Sequence, residues 1–208
     1  MKKVLFAFAA AIALTVLSVP VKADILTFTT TLSGANEVPP VNSPGTGTAV
    51  VIVDTVANTM TVSANFSGLV DTIVPATGLP SATTAAHIHC CVPPGVNAMV
   101  ATTTPSFPGF PLGFRAGSFS NTFDLTAAST YNPMFVTQQG GGTVAGARVV
   151  FLNGLQGGQT YFNIHTNAFP GGEIRGQLQA VPEPTTMILL GTGLAAIAGR
   201  KLRRRRSE

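Results

Sequence analysis

The sequence predicts an all-β domain, an antiparallel β-sandwich with long Pro/Gly loops and at most one short helix. Three observations support this fold class. Glycine and proline are abundant, at 22 and 15 of 208 residues, and both punctuate a chain with turns. Several short stretches alternate apolar and polar residues, as half-buried strands do. Long amphipathic helical patterns are scarce, while an apolar content of 45% is too high for a disordered chain.

The individual strands follow from this alternation. In the first of them Leu26, Phe28 and Leu32 share one face, and threonines occupy the other. Residues 48–54 and 59–66 have matching period-two faces and a short connection, which predicts a β-hairpin. Further strands are expected at residues 85–91, 118–126, 161–166 and 173–178.

Two segments do not fit a strand. Residues 104–117 carry three prolines among Phe107, Phe110 and Phe114, and these aromatics are expected to tuck under the sheet because large exposed apolar patches are uncommon. Residues 143–153 are the only helix candidate, since apolar side chains recur there at helical spacing and Gly154 can end the helix.

Charge is concentrated at the ends of the chain. The formal net charge is +4, but between residues 24 and 181 three arginines face six carboxylates, which leaves this segment near −3. Proteins that bind nucleic acid need a basic patch on the folded part. The sequence therefore predicts no nucleic-acid partner.

The first 23 residues have the pattern of a secretory signal peptide. Lys2 and Lys3 precede an apolar run, and small residues end at Ala23, where signal peptidase is expected to cut before Asp24. The alternative, a permanent membrane helix, is disfavoured because the run is short and a cleavage site follows it. The mature chain would then begin outside the cytoplasm, with a domain over residues 24–180.

Residues 181–208 form a tail of different composition. Pro182, Glu183 and Pro184 precede an apolar segment at residues 185–199, and an arginine-rich end follows. As a helix that segment would span only ~22 Å, short of a ~30 Å hydrocarbon core, so its flanks would have to make up the difference. The basic cluster would hold the C-terminus in the cytoplasm.

The tail resembles a PEP-CTERM sorting signal. The resemblance rests on Pro182-Glu183-Pro184, the short hydrophobic segment and the arginine-rich end taken together. It implies a Gram-negative bacterium with an extracellular polysaccharide matrix, and an exosortase that cuts near Pro-Glu-Pro. The protein would pass through an intermediate tethered to the inner membrane by a transmembrane helix, and finish at the cell surface or in the extracellular matrix.

The sharpest chemical feature is the set of three histidines. His87 and His89 share one face of a predicted strand, and His165 lies in another strand. If those strands are neighbours, the three imidazoles suit a single copper or zinc ion. The favoured interpretation is structural, with the histidines bonding backbone at a sheet end. Tyr161 and Asn163, on the His165 face, could support a ligand or form polar surface.

Cys90 and Cys91 are the only two cysteines, and they are adjacent in a chain predicted to be exported. Four states are open: a strained small-ring disulfide, disulfides to another molecule, thiolate metal ligands, and free thiols. The first two are favoured because the chain offers no other cysteine. Strand alternation places Cys91 on the histidine face and Cys90 on the opposite face.

No catalytic motif stands out, and the sequence predicts no enzyme. Gly-x-Ser-x-Gly, His-Glu-x-x-His and phosphate-binding glycine loops do not occur. Glu37 is interpreted as a loop hydrogen-bonder. Glu173 and Arg175 are expected to face solvent and to pair there, which is worth at most ~1 kcal/mol.

Residues 32–178 resemble the CHRD domain, named after chordin. The resemblance rests on Leu-Ser-Gly-Ala-Asn-Glu-Val-Pro-Pro at 32–40, Ala-His-Ile-His at 86–89, and Tyr-Phe-Asn-Ile-His-Thr with Phe-Pro-Gly-Gly-Glu-Ile-Arg-Gly within 161–176. It implies an extracellular β-sandwich, immunoglobulin-like or superoxide-dismutase-like, without established catalytic activity. Many members have a glycine-led loop after the His-x-His, where this chain has Cys90 and Cys91.

Two functional hypotheses follow. The favoured one is a secreted, non-enzymatic CHRD-type domain that binds or structures extracellular polysaccharide or matrix protein. The alternative is a mononuclear copper or zinc protein, with a redox role open to it, built from His87, His89 and His165. Dismutase activity is not expected, because the chain lacks the further histidines of a bridged two-metal site. The distances among the imidazole nitrogens discriminate between the two hypotheses.

Overall fold

A computed structural model of the protein describes residues 25–182 and 191–193. The expected signal peptide with its cleavage site at Ala23 and Asp24 lies outside these residues. So do Glu183, Pro184 and nearly all of the hydrophobic segment predicted to cross the membrane. In the part of the chain that is described, no helix is long and apolar enough to span a bilayer.

The described residues form an all-antiparallel β-fold, which confirms the predicted fold class. Nine strands join in one sheet in the order β7-β6-β9-β10-β1-β2-β3-β8, with β11 also paired to β1, and β4 and β5 form a separate small hairpin. The strands are β1 (Ile25–Ser33), β2 (Thr46–Asp54), β3 (Thr59–Ser67), β4 (Ile73–Val74), β5 (Leu79–Pro80), β6 (Thr83–Cys90), β7 (Met99–Val100), β8 (Gly117–Asp124), β9 (Thr160–Thr166), β10 (Ile174–Gln177) and β11 (Gln179–Ala180).

The sheet curls on itself, so the two layers expected of a sandwich belong to one continuous sheet. β9 lies near one end of the strand order and β8 at the other. Phe107 nevertheless contacts both, with ring centroids 6.1 Å from Phe162 of β9 and 5.2 Å from Phe123 of β8. The right-handed twist of neighbouring strands accumulates over such a wide sheet and brings its halves face to face.

The loop at residues 104–117 fills the space between those halves. Phe107 and Phe110 are buried and stack against aromatic side chains of β3 and β8. Phe114 is 60% exposed. The prediction that the aromatics of this loop tuck under the sheet is therefore right for two of the three.

Within residues 25–182 two α-helices lie between the strands, so the prediction of at most one short helix is wrong. They are α1 (Pro133–Gln138) and α2 (Val144–Gln156). In the helix that was missed, α1, Asn132 caps the N-terminus by accepting a hydrogen bond from Met134 N, and proline takes the first helical position. Gly154 lies inside α2 instead of ending it.

Glu173 and Arg175 do not form the expected surface pair, because both are buried, at 0% and 3% exposure. The Glu173 carboxylate accepts hydrogen bonds from Ser43 Oγ and Val70 N, both at 2.6 Å, and from Thr166 Oγ1 at 2.7 Å. Strand alternation alone predicts which face of the strand a side chain takes. It cannot show whether loops cover that face. Glu173 thus fastens two loops to the end of β9.

Candidate metal centre

The three histidines meet on the outer face of β6 and β9, which are neighbours in the sheet. In the register of this pair His87 stands opposite Asn163, His89 opposite Tyr161, and Ala85 opposite His165. The alternate side chains of both strands point into the core. The condition that the metal hypothesis set, two neighbouring histidine strands, is met by this pairing.

The distances place the imidazoles in one cluster. One ring nitrogen from each of His87, His89 and His165 lies within 4.8 Å of the others. A single ion with bonds of ~2.0–2.1 Å would hold three nitrogens roughly 3.3–3.6 Å apart, so the side chains would draw in by about 1 Å. The cluster is buried, with exposures of 7%, 7% and 9%.

Backbone carbonyl groups orient each ring. His87 Nε2 donates to Pro105 O at 2.7 Å, His89 Nδ1 to Ala98 O at 2.8 Å, and His165 Nδ1 to Pro170 O at 2.9 Å. A carbonyl oxygen can only accept, so these nitrogens carry the protons and the other nitrogen of each ring is a bare lone pair. Those bare nitrogens, His87 Nδ1, His89 Nε2 and His165 Nε2, are buried without a partner. Metal-binding histidines show this arrangement, with the distal N–H fixed by a carbonyl.

Burial keeps the imidazoles neutral. Desolvation, reinforced by the neighbouring His165, lowers the pKa of His87 to about 4. Desolvation lowers the pKa of His89 to about 3, against the opposing effect of its hydrogen bond to Ala98. The pKa of His165 is lowered by the same cause. Neutral imidazole is the form that binds metal ions.

Tyr161 packs against the histidine cluster, and Arg175 packs against Tyr161. The ring of Tyr161 stacks on His89, with centroids 4.6 Å apart and planes 8° from parallel. The guanidinium of Arg175 lies 4.4 Å from the centre of the Tyr161 ring, a favourable cation–π distance. Arg175 also donates to Asn36 O at 2.6 Å and to Asn97 Oδ1 at 2.8 Å. It therefore fastens the loops after β1 and β6 over the site.

Glu37 enters the same region from the turn that follows β1. Its carboxylate is 5% exposed, and Oε2 lies 4.0 Å from Arg175 Nε. Burial raises the pKa of Glu37 to about 7, and the charge of Arg175 and a side-chain hydrogen bond with Asn163 offset this only in part. Glu37 Oε1 and Asn163 Oδ1 are both buried without a hydrogen-bond partner.

The two cysteines form a disulfide with each other, one of the two favoured states. Cys90 is buried in the core as expected. The expected position of Cys91 on the histidine face is wrong: its sulfur packs against the core and lies 3.7 Å from Val150 O of α2. Alternation fails here because the disulfide ring holds both sulfur atoms on the side of α2.

Sequence reasoning located the three histidines and the flanking Tyr161 and Asn163. It missed Arg175, which was assigned to a surface pair, and the part that Glu37 takes in the site. The expectation that the histidines bond backbone is confirmed by the hydrogen bonds to the carbonyls of Pro105, Ala98 and Pro170, but the sequence did not show which carbonyl groups accept. Backbone carbonyls leave no signal in sequence. A lone arginine on a strand beside a tyrosine-bearing strand is the only available hint for Arg175.

The fold and the site define an antiparallel β protein with a buried cluster of three neutral histidines. The chain belongs to the CHRD domain family, whose match covers residues 28–178, and residues 180–205 match the PEP-CTERM protein-sorting motif. The sorting motif implies export in a Gram-negative bacterium, membrane-associated sorting and processing by an exosortase-type enzyme. No curated protein and no solved structure matches the chain.

Proposed function

We propose that this exported CHRD protein binds one copper or zinc ion through His87, His89 and His165. One observation carries the proposal: the three imidazoles approach within 4.8 Å of one another through one nitrogen each, and each ring has one buried nitrogen without a hydrogen-bond partner. Buried polar atoms are nearly always satisfied. Three unprotonated nitrogens cannot hydrogen-bond to one another, whereas a cation bound between them would satisfy all three.

The three nitrogens suit copper or zinc in particular. Imidazole is a borderline ligand that both ions accept, and three histidines with one open position is a known zinc arrangement. The orienting carbonyls of Ala98, Pro105 and Pro170 support the proposal further, because they hold the bare nitrogens inward before any ion arrives.

The proposed role is non-enzymatic. The supporting observation is that the cluster is closed off by its covering loops. A surface groove of about 570 Å³ reaches Arg175 and the threonines of β1 but is lined by none of the three histidines. Such a site suits holding an ion more than turning over a large substrate.

We further propose that processing leaves the domain at the cell surface or in the extracellular matrix. Extracellular polysaccharide or a matrix protein would then surround it. The sorting motif supports this location. Fractionation of cells tests it: recovery of the processed protein only in the periplasm would contradict it.

Metal content tests the main proposal. The exported protein is dialysed against copper or zinc and then against buffer, and bound metal is counted by elemental analysis. About one ion per chain is expected in wild type, and none in the triple variant His87→Ala, His89→Ala, His165→Ala. Equal metal content in the two proteins would remove the proposal.

Folding has to be controlled in this experiment. Asn153→Ala, at an exposed position on α2, is the matched control and should bind like wild type.

A bound ion also stabilises the folded state: at 100-fold excess over Kd the gain is about 2.7 kcal/mol. Wild type should therefore melt roughly 5–10 °C higher with metal than with chelator, while the triple variant should melt at the same temperature in both.

A further inference from the structure

Two acceptor atoms next to the histidine cluster also lack partners. Among the described residues, the buried side-chain nitrogen and oxygen atoms without a hydrogen bond are Glu37 Oε1, His87 Nδ1, His89 Nε2, Thr160 Oγ1, Asn163 Oδ1 and His165 Nε2. All but the Thr160 oxygen belong to the site. A metal ion satisfies the three nitrogens and leaves the two oxygens of Glu37 and Asn163.

These two oxygens lie close together and beside the cluster. Asn163 stands directly between His87 of β6 and Arg175 of β10 in the sheet register, and directly opposed side chains have Cβ atoms ~4.5–5.5 Å apart. Both oxygens lie 2.7 Å from the point where a Cβ on Gly172 would stand, and Asn163 Nδ2 lies closer still to that point. The two oxygens are therefore no more than twice 2.7 Å from each other, within reach of one small molecule.

Both oxygens accept hydrogen bonds and neither can donate while Glu37 is ionised. A zinc or copper ion held by three protein nitrogens has a further coordination position that water commonly takes. We propose that a small hydrogen-bond donor, water in the resting protein, occupies this fourth position and donates its protons to Asn163 Oδ1 and Glu37 Oε1. This inference rests on the proposed metal site.

The two acceptor oxygens, Glu37 Oε1 and Asn163 Oδ1 (the acceptor pair), also determine which other ligands the metal binds. Small molecules that carry at least two O–H or N–H hydrogens, such as hydroxylamine, keep both hydrogen bonds. Azide brings only lone pairs and leaves two buried acceptors unsatisfied, at a cost of about 1–3 kcal/mol for each. The site therefore disfavours aprotic anions.

Two readouts on the metal-loaded protein test the inference. The protein is loaded with copper(II), or with cobalt(II) if zinc is the ion retained. Electron-nuclear double resonance in H₂O and D₂O detects exchangeable protons on a metal-bound ligand. Azide is then titrated by visible absorption. Both are done at about pH 8.5, well above the folded pKa of Glu37, so that its own carboxyl proton cannot be the donor to Asn163.

The variants are Asn163→Leu and Glu37→Gln, each of which removes one acceptor and keeps a similar shape. Each should bind azide about tenfold more tightly than wild type and should weaken or lose the exchangeable-proton signal. Thr160→Val is the control: it removes the remaining unpartnered hydroxyl, which lies on the core side of β9, and should leave both readouts unchanged.

The outcomes separate the two proposals. Metal binding without an exchangeable proton, or azide affinities equal in wild type and both site variants, overturns the acceptor pair and leaves the metal site standing. If wild type retains no metal at all, both proposals fall together. Because Glu37 and Asn163 lie on different elements, a folding defect in one variant still leaves the other to decide.

Discussion

Tyr161 lies flat against His89, and the two side chains share one backbone group, the carbonyl oxygen of Ala98. His89 Nδ1 donates to this oxygen at 2.8 Å and the Tyr161 hydroxyl at 3.4 Å, while Ala98 N donates to the Tyr161 hydroxyl at 3.0 Å. Stacking and hydrogen bonding therefore hold His89 in one orientation. This preorganisation can be tested directly.

Replacing Tyr161 should weaken metal binding although the residue is not a ligand. In Tyr161→Leu the stacking surface and the hydroxyl both disappear, and affinity should fall about 10- to 100-fold, the usual effect of losing a group that orients a ligand. Tyr161→Phe keeps the ring and should fall less. Competition with a chromophoric chelator measures both. Equal affinity in Tyr161→Leu and wild type would contradict the orienting role.

Gly154→Ala should destabilise the protein even though alanine is the better helix former by about 1 kcal/mol. A Cβ at this position would run into Cys90 Sγ and lie 2.9 Å from Cys91 Sγ. Overpacking of this kind costs about 1–3 kcal/mol. Urea unfolding measures the loss. The same measurement on Asn153→Ala, an exposed position of α2, should show a small gain, and a gain in Gly154→Ala as well would disprove the contact.

Glu173→Ala should cost about 3 kcal/mol or more in the free energy of unfolding, because one buried donor, Thr166 Oγ1, and two half-buried donors, Ser43 Oγ and Val70 N, lose a carboxylate. Glu173→Gln should cost less, since the amide oxygen can take the place of Oε1 and the Thr166 hydroxyl can turn to accept from the amide nitrogen. Denaturant titration ranks the variants. Metal content per folded molecule should not change in either, because strand alternation puts the Thr166 side chain on the face of β9 opposite to His165.

The free energy of unfolding of the metal-free protein should depend on pH through two sets of residues with opposite effects. The folded pKa values of His87 and His89, about 4 and 3, lie below an unfolded value of ~6.5. The unfolded chain then binds more protons, so these residues remove stability as pH falls below 6.5. Glu37, with its pKa raised from 4.5 to about 7, does the reverse and removes stability as pH rises from 4.5 to 7.

Single variants separate these effects when urea midpoints are measured between about pH 4.5 and 7.5 in chelator. Glu37→Gln should lose stability on acidification more steeply than wild type. His89→Gln should lose it less steeply. Parallel curves for all three proteins would show that neither residue titrates abnormally in the folded state.

Processing should define both ends of the mature protein. Mass spectrometry of the exported form should find an N-terminus at Asp24 and no arginines from positions 203–206, because the sorting motif is expected to be cut near Pro182-Glu183-Pro184. Retention of those arginines in the exported protein would show that the tail is a lasting anchor.

Local patterns in the sequence determined much of this protein. Period-two alternation located the long strands β1, β2, β3, β8 and β9, because each has one face in the core and side chains alternate strictly. The same rule put His87 and His89 together on one face of β6, and Tyr161, Asn163 and His165 together on one face of β9, and the structure agrees. The family segments and the tail motif were also readable as sequence.

Tertiary structure alone decided the rest. The pairing of β6 with β9 brings His87 and His165 together across 78 positions of sequence, and strand order follows from long-range packing, which alternation does not encode. The burial of Glu37, Glu173 and Arg175 depends on loops that fold back over the sheet. The placement of Cys91 depends on the disulfide and on α2. The sequence determines which residues share a face of a strand. Packing determines which strands become neighbours, and the candidate site exists only because β6 lies next to β9.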